Sequence, residues 1–296
     1  MSTNAPAPRM IGAPAPAAGR TSRSRWTMPL GVLVLAAALL ASGLAAALAP
    51  SRAMTPPHAP AIRLPRGFAP AARYTHLARE YSFDGARLPS DWTEGTWNYG
   101  FAATQFQPSQ VQSHGSSVAL EANAGVASQG LPYKSGLIST AGTYTLTHGM
   151  IDFRVSMPPG QGLWGGVWMD NAAGVEIDDA EVLLGNPHTV YGSLHTHTWS
   201  EIQPGGARSD LARGYHDFQV IWQPGLITWA VDGRAYAQYS RAQARAAGER
   251  WPYDDSGGVY LIADLAVAGQ TEWGGPPTPR TRLPARMRIK SVTVWQ

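Results

Sequence analysis

From about residue 74 onward the chain is written in short runs of alternating apolar and polar residues, broken every few positions by Gly or Pro. Alternation with period two is the mark of a half-buried β-strand, because successive side chains point to opposite faces of a sheet. Tyr215–Trp222 places Phe218, Val220 and Trp222 on one face, and Gln223-Pro224-Gly225 then turns the chain. Leu226–Val231 follows with Ile227, Trp229 and Val231 on one face, and Asp232-Gly233 marks the next turn. The same texture predicts strands over Ser117–Glu121, Gly142–Thr147, Met150–Met157, Gly174–Leu184, Thr189–His195, Val259–Val267 and Arg286–Trp295. Trp222, Trp229 and Trp295 sit within regular strands and are expected in the core. One helical stretch stands out, Arg241–Ala247, with Ser240 as its N-cap. Many short strands with almost no helix specify an all-β sandwich of two antiparallel sheets.

The first 70 residues differ. They hold seven of the 23 basic residues, 11 of the 24 prolines and no acid. The remainder therefore carries 16 basic against 20 acidic residues, a net charge of −4 within a chain whose total is +3. That balance gives no electrostatic case for nucleic acid. Leu30–Ala49 is an uninterrupted apolar run of 20 residues preceded by Arg20, Arg23 and Arg25, the length of a membrane span with its basic flank on the cytoplasmic side. Ala47-Leu48-Ala49 could equally serve as a signal-peptide cleavage site. The expected organisation is a basic cytoplasmic tail (1–26), a signal-anchor or signal peptide (27–49), a Pro/Ala-rich linker (50–73) and a folded domain (74–296). Either form of the leader exports the domain, periplasmic or secreted, and the uncleaved form anchors it in the inner membrane through residues 27–49. Cysteine is absent, which removes disulfides, thiolate zinc sites, iron–sulfur clusters and a Cys nucleophile.

Chemistry concentrates in Gly174–Gly185, where Glu176, Asp178, Asp179 and Glu181 fall within six residues of a run that otherwise reads as strand. Glu176 and Asp178 share a face, whereas Glu181 in a regular strand would point the other way. A single bulge near Asp179–Ala180 returns it to their side. Three carboxylates side by side belong in a cleft. Glycosidic hydrolysis needs two carboxyl groups flanking the bond, one of them protonated near neutrality, and crowding like charges raises a pKa in that direction. A hard-cation site or a solvated acidic turn remains open, although Ca²⁺ ligands usually come from irregular loops. Just upstream, Trp164 and Trp168 are candidate stacking platforms for sugar rings.

Five blocks, in order, resemble the family 16 glycoside hydrolases, the laminarinase- and lichenase-like enzymes. They are Ser135–Ser139 with His148–Pro158; Gly162–Trp168; Glu176-Ile-Asp178-Asp-Ala-Glu181, similar to the family's bulged E-x-D-x-x-E pattern; Tyr215–Trp222 with Ile227–Gly233; and Val259–Val267 with the closing Val292–Gln296. The resemblance implies a concanavalin A-like jelly roll with a sugar-binding groove, and a retaining double displacement in an exported endo-acting hydrolase of β-1,3 or mixed β-1,3/1,4 glucan or a related exopolysaccharide. It makes Glu176 the nucleophile, Glu181 the general acid/base and Asp178 the residue that holds the nucleophile's geometry and protonation. It also places His195 near the acid/base and offers Trp199 as a sugar contact, while Trp273 lies in a loop suited to shaping a subsite. A transglycosylase with the same glutamates, and a lectin-like domain that only binds, are the alternatives. Three departures stand out: Asp264 replaces an expected Asn, Asp179 occupies a bulge position where an apolar residue is commoner, and Lys290 stands where many members carry an Asp for structural Ca²⁺. A cation at that position repels a metal, so neither metal nor cofactor is expected. The expected partner is a polysaccharide substrate, and the expected state is a monomer.

Overall fold

The structure is a computed structural model that describes residues 74, 76–96, 103–255 and 257–296. The expected tail, membrane segment and linker lie outside the described residues, among which no helix is long and apolar enough to cross a membrane.

The described chain forms strands β1 (Leu77–Ser82), β2 (Thr93–Glu94), β3 (Thr104–Phe106), β4 (Val111–Ser113), β5 (Val118–Ala124), β6 (Tyr133–Ser135), β7 (Leu137–Ser139), β8 (Gly149–Ser156) and β9 (Leu163–Asp170). It continues with β10 (Glu176–Leu183), β11 (Thr189–His195), β12 (Ser200–Gly206), β13 (His216–Gln223), β14 (Leu226–Val231), β15 (Arg234–Ser240), helix α1 (Arg241–Ala246), β16 (Tyr260–Val267) and β17 (Ala285–Trp295). Two sheets result. A ten-stranded sheet runs β15-β14-β13-β8-β17-β5-β6-β3, with β1 on β17 and β4 on β5, and a seven-stranded sheet runs β12-β11-β10-β9-β16-β7-β2. All pairings are antiparallel except β3 with β6.

The alternation read from the sequence decides which faces meet. Phe218, Val220 and Trp222 on β13, with Ile227 and Trp229 on β14, are fully buried against Val167, Ile177 and Leu265 of the other sheet. Burying each such side chain stabilises the sandwich by about 1.5–3 kcal/mol relative to leaving it in water. The outer face of the seven-stranded sheet carries a smaller apolar cluster, Leu137, Trp168, Ile262 and Ala266, covered by Phe106 from β3. Helix α1 starts as expected: the Ser240 hydroxyl accepts from the Gln243 N–H, and the Gln243 side chain accepts from the Ser240 N–H.

Two expectations need correction. Gly142–Thr147 is not a strand. The Thr140 carbonyl accepts from the N–H groups of both Thr143 and Tyr144, Gly142 turns with φ +80°, and only Leu146 bridges to Val259. Local turn chemistry there outweighs the β preference of Thr and Tyr. Trp295 is half-buried rather than core, because Val292 and Val294 are the residues of that strand that face inward.

Candidate active site

Strand β10 carries the expected bulge. Asp178 pairs with Trp168 and Ala180 with Val167 of β9, so Asp179 is the extra residue, and the register against β11 shifts between Asp178 and Glu181. On either side of it Ile177, Ala180 and Val182 turn into the core. Glu176, Asp178 and Glu181 consequently share the outer face, as one extra residue reverses the alternation. Asp179 itself is fully buried, and neither carboxyl oxygen has a hydrogen-bond partner. Burial, reinforced by the charges of Asp178 and Asp152, holds it well above the usual carboxylate range.

The same forces act on the outward row. Burial, then the neighbouring charge of Asp178, pushes Glu181 up to about 8, against the opposing pull of a hydrogen bond from Ser193 Oγ to Glu181 Oε2 at 2.9 Å. Burial and Asp178 raise Glu176 to about 9. Asp178, only 4% exposed, is driven well up by burial and by the charges of Asp170 and Asp264, with a hydrogen bond to Glu176 opposing the shift. Glu176 and Asp178 therefore titrate as a pair. At neutral pH the row holds fewer negative charges than carboxyl groups.

Flanking strands supply the surroundings. His195 lies opposite Glu176 in the β10–β11 ladder, its Nε2 3.2 Å from Asp178 Oδ2 and its Nδ1 2.7 Å from Ser200 Oγ. Trp168 donates its indole N–H to Asp264 Oδ2 at 2.8 Å. Gly166 lets that carboxylate in close, since a Cβ there would stand 3.3 Å from the same oxygen. Asp264 is thus a buried member of the site's electrostatics rather than a surface substitution. Trp164 meets Trp273 edge-on at 5.6 Å, and Tyr191 meets Trp273 at 4.5 Å, so the loop tryptophan and two strand aromatics form one cluster near the Glu181 end of the row. Trp199 is committed elsewhere: it packs on Tyr239 and Tyr253, and its N–H donates to the Arg250 carbonyl.

Trp164, Trp168 and His195 are therefore brought to the row's face, and Trp199 to an aromatic cluster beside it. Ser193, Tyr191, Asp170 and Tyr260 were not singled out in the sequence. Ser193 and Tyr191 were accessible in principle, because a hairpin register pairing Asp178 with Ser193 and Glu181 with Tyr191 fixes them. Asp170 is reached by the Tyr260 hydroxyl at 3.0 Å, a contact 90 residues apart that no local pattern announces. Among the described residues, Glu176, Asp178 and His195 form one group of three whose candidate ligand atoms all lie within 4.8 Å, an arrangement suited either to a divalent cation or to proton sharing.

Residues 98–271 match the model of glycosyl hydrolases family 16. The glucan endo-1,3-β-glucosidase A1 of Niallia circulans is 32% identical over 183 residues, covering 55% of this chain and 26% of that protein. The β-glucanase of Rhodothermus marinus is 30% identical over 190 residues, covering 57% of this chain and 64% of that protein. The chain thus spans less than two thirds of either relative's length. The endo-β-1,3-glucanase of Pyrococcus furiosus shares the fold, with a TM-score of 0.69 at 24% identity over 75% of this chain and 94% of that one. With a family match over more than half its length, centred on the bulged carboxylate strand, the chain belongs to the glycosyl hydrolases family 16.

Proposed function

We infer that the domain is an endo-acting β-glucan hydrolase that cleaves with retention of anomeric configuration. The observation that carries this reading is the bulge at Asp179, which puts Glu176 and Glu181 on one face of one strand with Asp178 between them. Glu181, held up to about 8, is protonated at neutral pH and donates its proton to the leaving oxygen. Glu176 attacks the anomeric carbon to form a glycosyl-enzyme once the Glu176–Asp178 pair has lost its first proton. Asp178 keeps the other proton and holds the nucleophile by hydrogen bonding. Glu181, now ionised, then takes a proton from water, which releases the sugar with its configuration restored. His195, bonded at Nδ1 to Ser200, presents Nε2 to Asp178 and steadies that carboxyl group.

The substrate proposed is β-1,3 or mixed β-1,3/1,4 glucan, in keeping with the glucanase names of the relatives. The Trp164–Tyr191–Trp273 cluster supplies ring faces for stacking sugars. Export through residues 27–49 places the domain where polysaccharide is met.

The test is incubation of the full chain, in a non-ionic detergent, with laminarin, lichenan and a mixed-linkage glucan, followed by NMR of product size and anomeric form. Short oligosaccharides appearing first as the β-anomer are expected. First appearance as the α-anomer would overturn the double displacement. Products longer than the substrate would assign a transglycosylase, and binding without turnover a lectin.

A further inference from the structure

Away from the carboxylate row, four arginines converge on one cavity of ≈ 550 Å³. Arg280 and Arg282 come from the segment leading into β17, Arg286 and Arg288 from the strand itself, and the rest of the wall is Ser156–Gly160, Ala212, Pro284 and Ala285. Arg286 and Arg288 alternate with Ala285, Met287 and Ile289, which face the core, so both guanidinium groups stand on the outer face of the ten-stranded sheet. The candidate catalytic row lies on the outer face of the other sheet. The two sites share no residue.

Three of the four charges in this cavity have no ion-pair partner among the described residues. Arg286 pairs through Nη2 with Glu121, yet its Nε is buried without a partner. Among the described residues no carboxylate pairs with Arg280, Arg282 or Arg288, and none lines the cavity. Gathering like charges in a concave site is unfavourable unless an anion joins them, and residues 71–296 carry a net negative charge, so the concentration is no by-product of overall composition. Guanidinium groups present planar forks that match the paired oxygens of a carboxylate or sulfate.

The cavity's size and walls narrow the ligand further. Its volume is that of a small-molecule pocket rather than a single-ion niche. The exposed Pro159 and Pro284 offer apolar surface for a ring while the arginines take the charge. A membrane surface is disfavoured, because the large hydrophobic residues exposed among those described are Leu77, Val126 and Ile202, and none borders the cavity. We propose that this cavity binds an acidic saccharide, a sugar unit bearing a carboxylate or sulfate, independently of the groove. Such a site would hold an acidic polymer at the domain while the groove stays open to a glucan chain. The proposal does not depend on the hydrolase reading.

Titration calorimetry on the full chain in non-ionic detergent tests it, with trigalacturonate, a sulfated trisaccharide and neutral maltotriose as probes. At least one acidic trisaccharide is expected to bind, more weakly as salt rises, while maltotriose gives no heat. Arg282→Gln combined with Arg288→Gln is expected to weaken that binding by about tenfold or more, a change of at least 1.4 kcal/mol. Thermal melting of the double variant checks that it folds, and Glu176→Gln, in the groove, should leave the affinity unchanged. Should the double variant refuse to fold, Arg280→Gln carries the same expectation. Unchanged affinity in the arginine variants would overturn the proposal, as would silence from both acidic trisaccharides. Inorganic sulfate binding as tightly as the trisaccharides would remove the sugar from it. Arginine-dependent binding to phosphatidylglycerol vesicles without any saccharide binding would replace it with a lipid headgroup site.

Discussion

The indole N–H of Trp229 donates to the backbone carbonyl of Asp178 at 2.7 Å, from one sheet of the sandwich to the other through the core. It does so where the register of β10 shifts against both neighbours. A bulge disrupts the ladder locally, and a buried carbonyl at such a place needs a donor. Gly192 on β11 makes room for the ring, since a Cβ there would stand 2.4 Å from the indole. The conformation that presents Glu176 and Glu181 together is thereby fixed from the opposite sheet.

Trp229→Phe keeps most of the ring volume and removes the donor. Loss of that buried hydrogen bond is expected to cost about 1–3 kcal/mol of stability and to lower kcat more than it raises KM. Gly192→Ala attacks the same contact by overpacking, at a cost of about 1–3 kcal/mol. Denaturant melts and steady-state kinetics on both variants are the check. Wild-type kcat in a destabilised but folded Trp229→Phe would mean that the contact supports the core and not the bulge.

The two glutamates are separable by substrate. Glu176→Gln and Glu181→Gln should each retain less than about a thousandth of wild-type turnover on glucan. On an aryl glucoside whose phenolate leaves unaided, the Glu181 variant should recover its first step, because no proton need be given to the leaving group. The Glu176 variant should stay inactive. Burst kinetics of phenolate release distinguish them, and the reverse pattern would exchange the roles.

Legibility in the sequence followed the range of the forces involved. Strand faces were readable because alternation is local: Phe218, Val220, Trp222, Ile227 and Trp229 all point inward as the pattern requires. The bulge was readable because carboxylates do not belong in a core, so Glu181 had to be returned to the face of Glu176. Strand β9 was obscured by Gly165 and Gly166, whose missing side chains blur the period yet admit Met157 and Asp264. Trp199 was legible only in part, for a different reason. Its position beside the His195 strand is local information, whereas its packing on Tyr239 and Tyr253 is set by residues 40 and 54 positions away. The Trp229–Asp178 hydrogen bond joins opposite sheets and left no local trace.

Stability should fall as pH rises through neutrality. Glu176, Glu181 and Asp152 are raised to about 9, about 8 and about 6 from ordinary values of 4.5, 4.5 and 3.8. Between those limits the native chain holds protons that the unfolded chain has released, so the unfolding free energy declines with pH. The contribution is fully present below about pH 4 and is lost progressively up to about pH 9, the reverse of a salt-bridged carboxylate. Melting temperatures of the full chain from pH 5 to 9 should drop steadily, and Glu181→Gln should flatten the curve between pH 5 and 8. A melting temperature that climbs across this window would contradict the neutral, buried state of the row.

Asp264 gives the sharpest electrostatic test, because its charge and its hydrogen bond can be removed separately. Its carboxylate accepts the Trp168 N–H and is among the charges that raise Asp178 and Glu181. Asp264→Asn retains an oxygen acceptor for Trp168 and deletes the charge. Under the proposed roles, the limb of the kcat/KM profile that reports Glu181 should then move to lower pH with the fold intact. Asp264→Ala removes the acceptor as well and should add a stability loss of about 1–3 kcal/mol. A limb unmoved or moved upward in Asp264→Asn would show that this carboxylate does not act on Glu181, and would leave it only the task of holding Trp168.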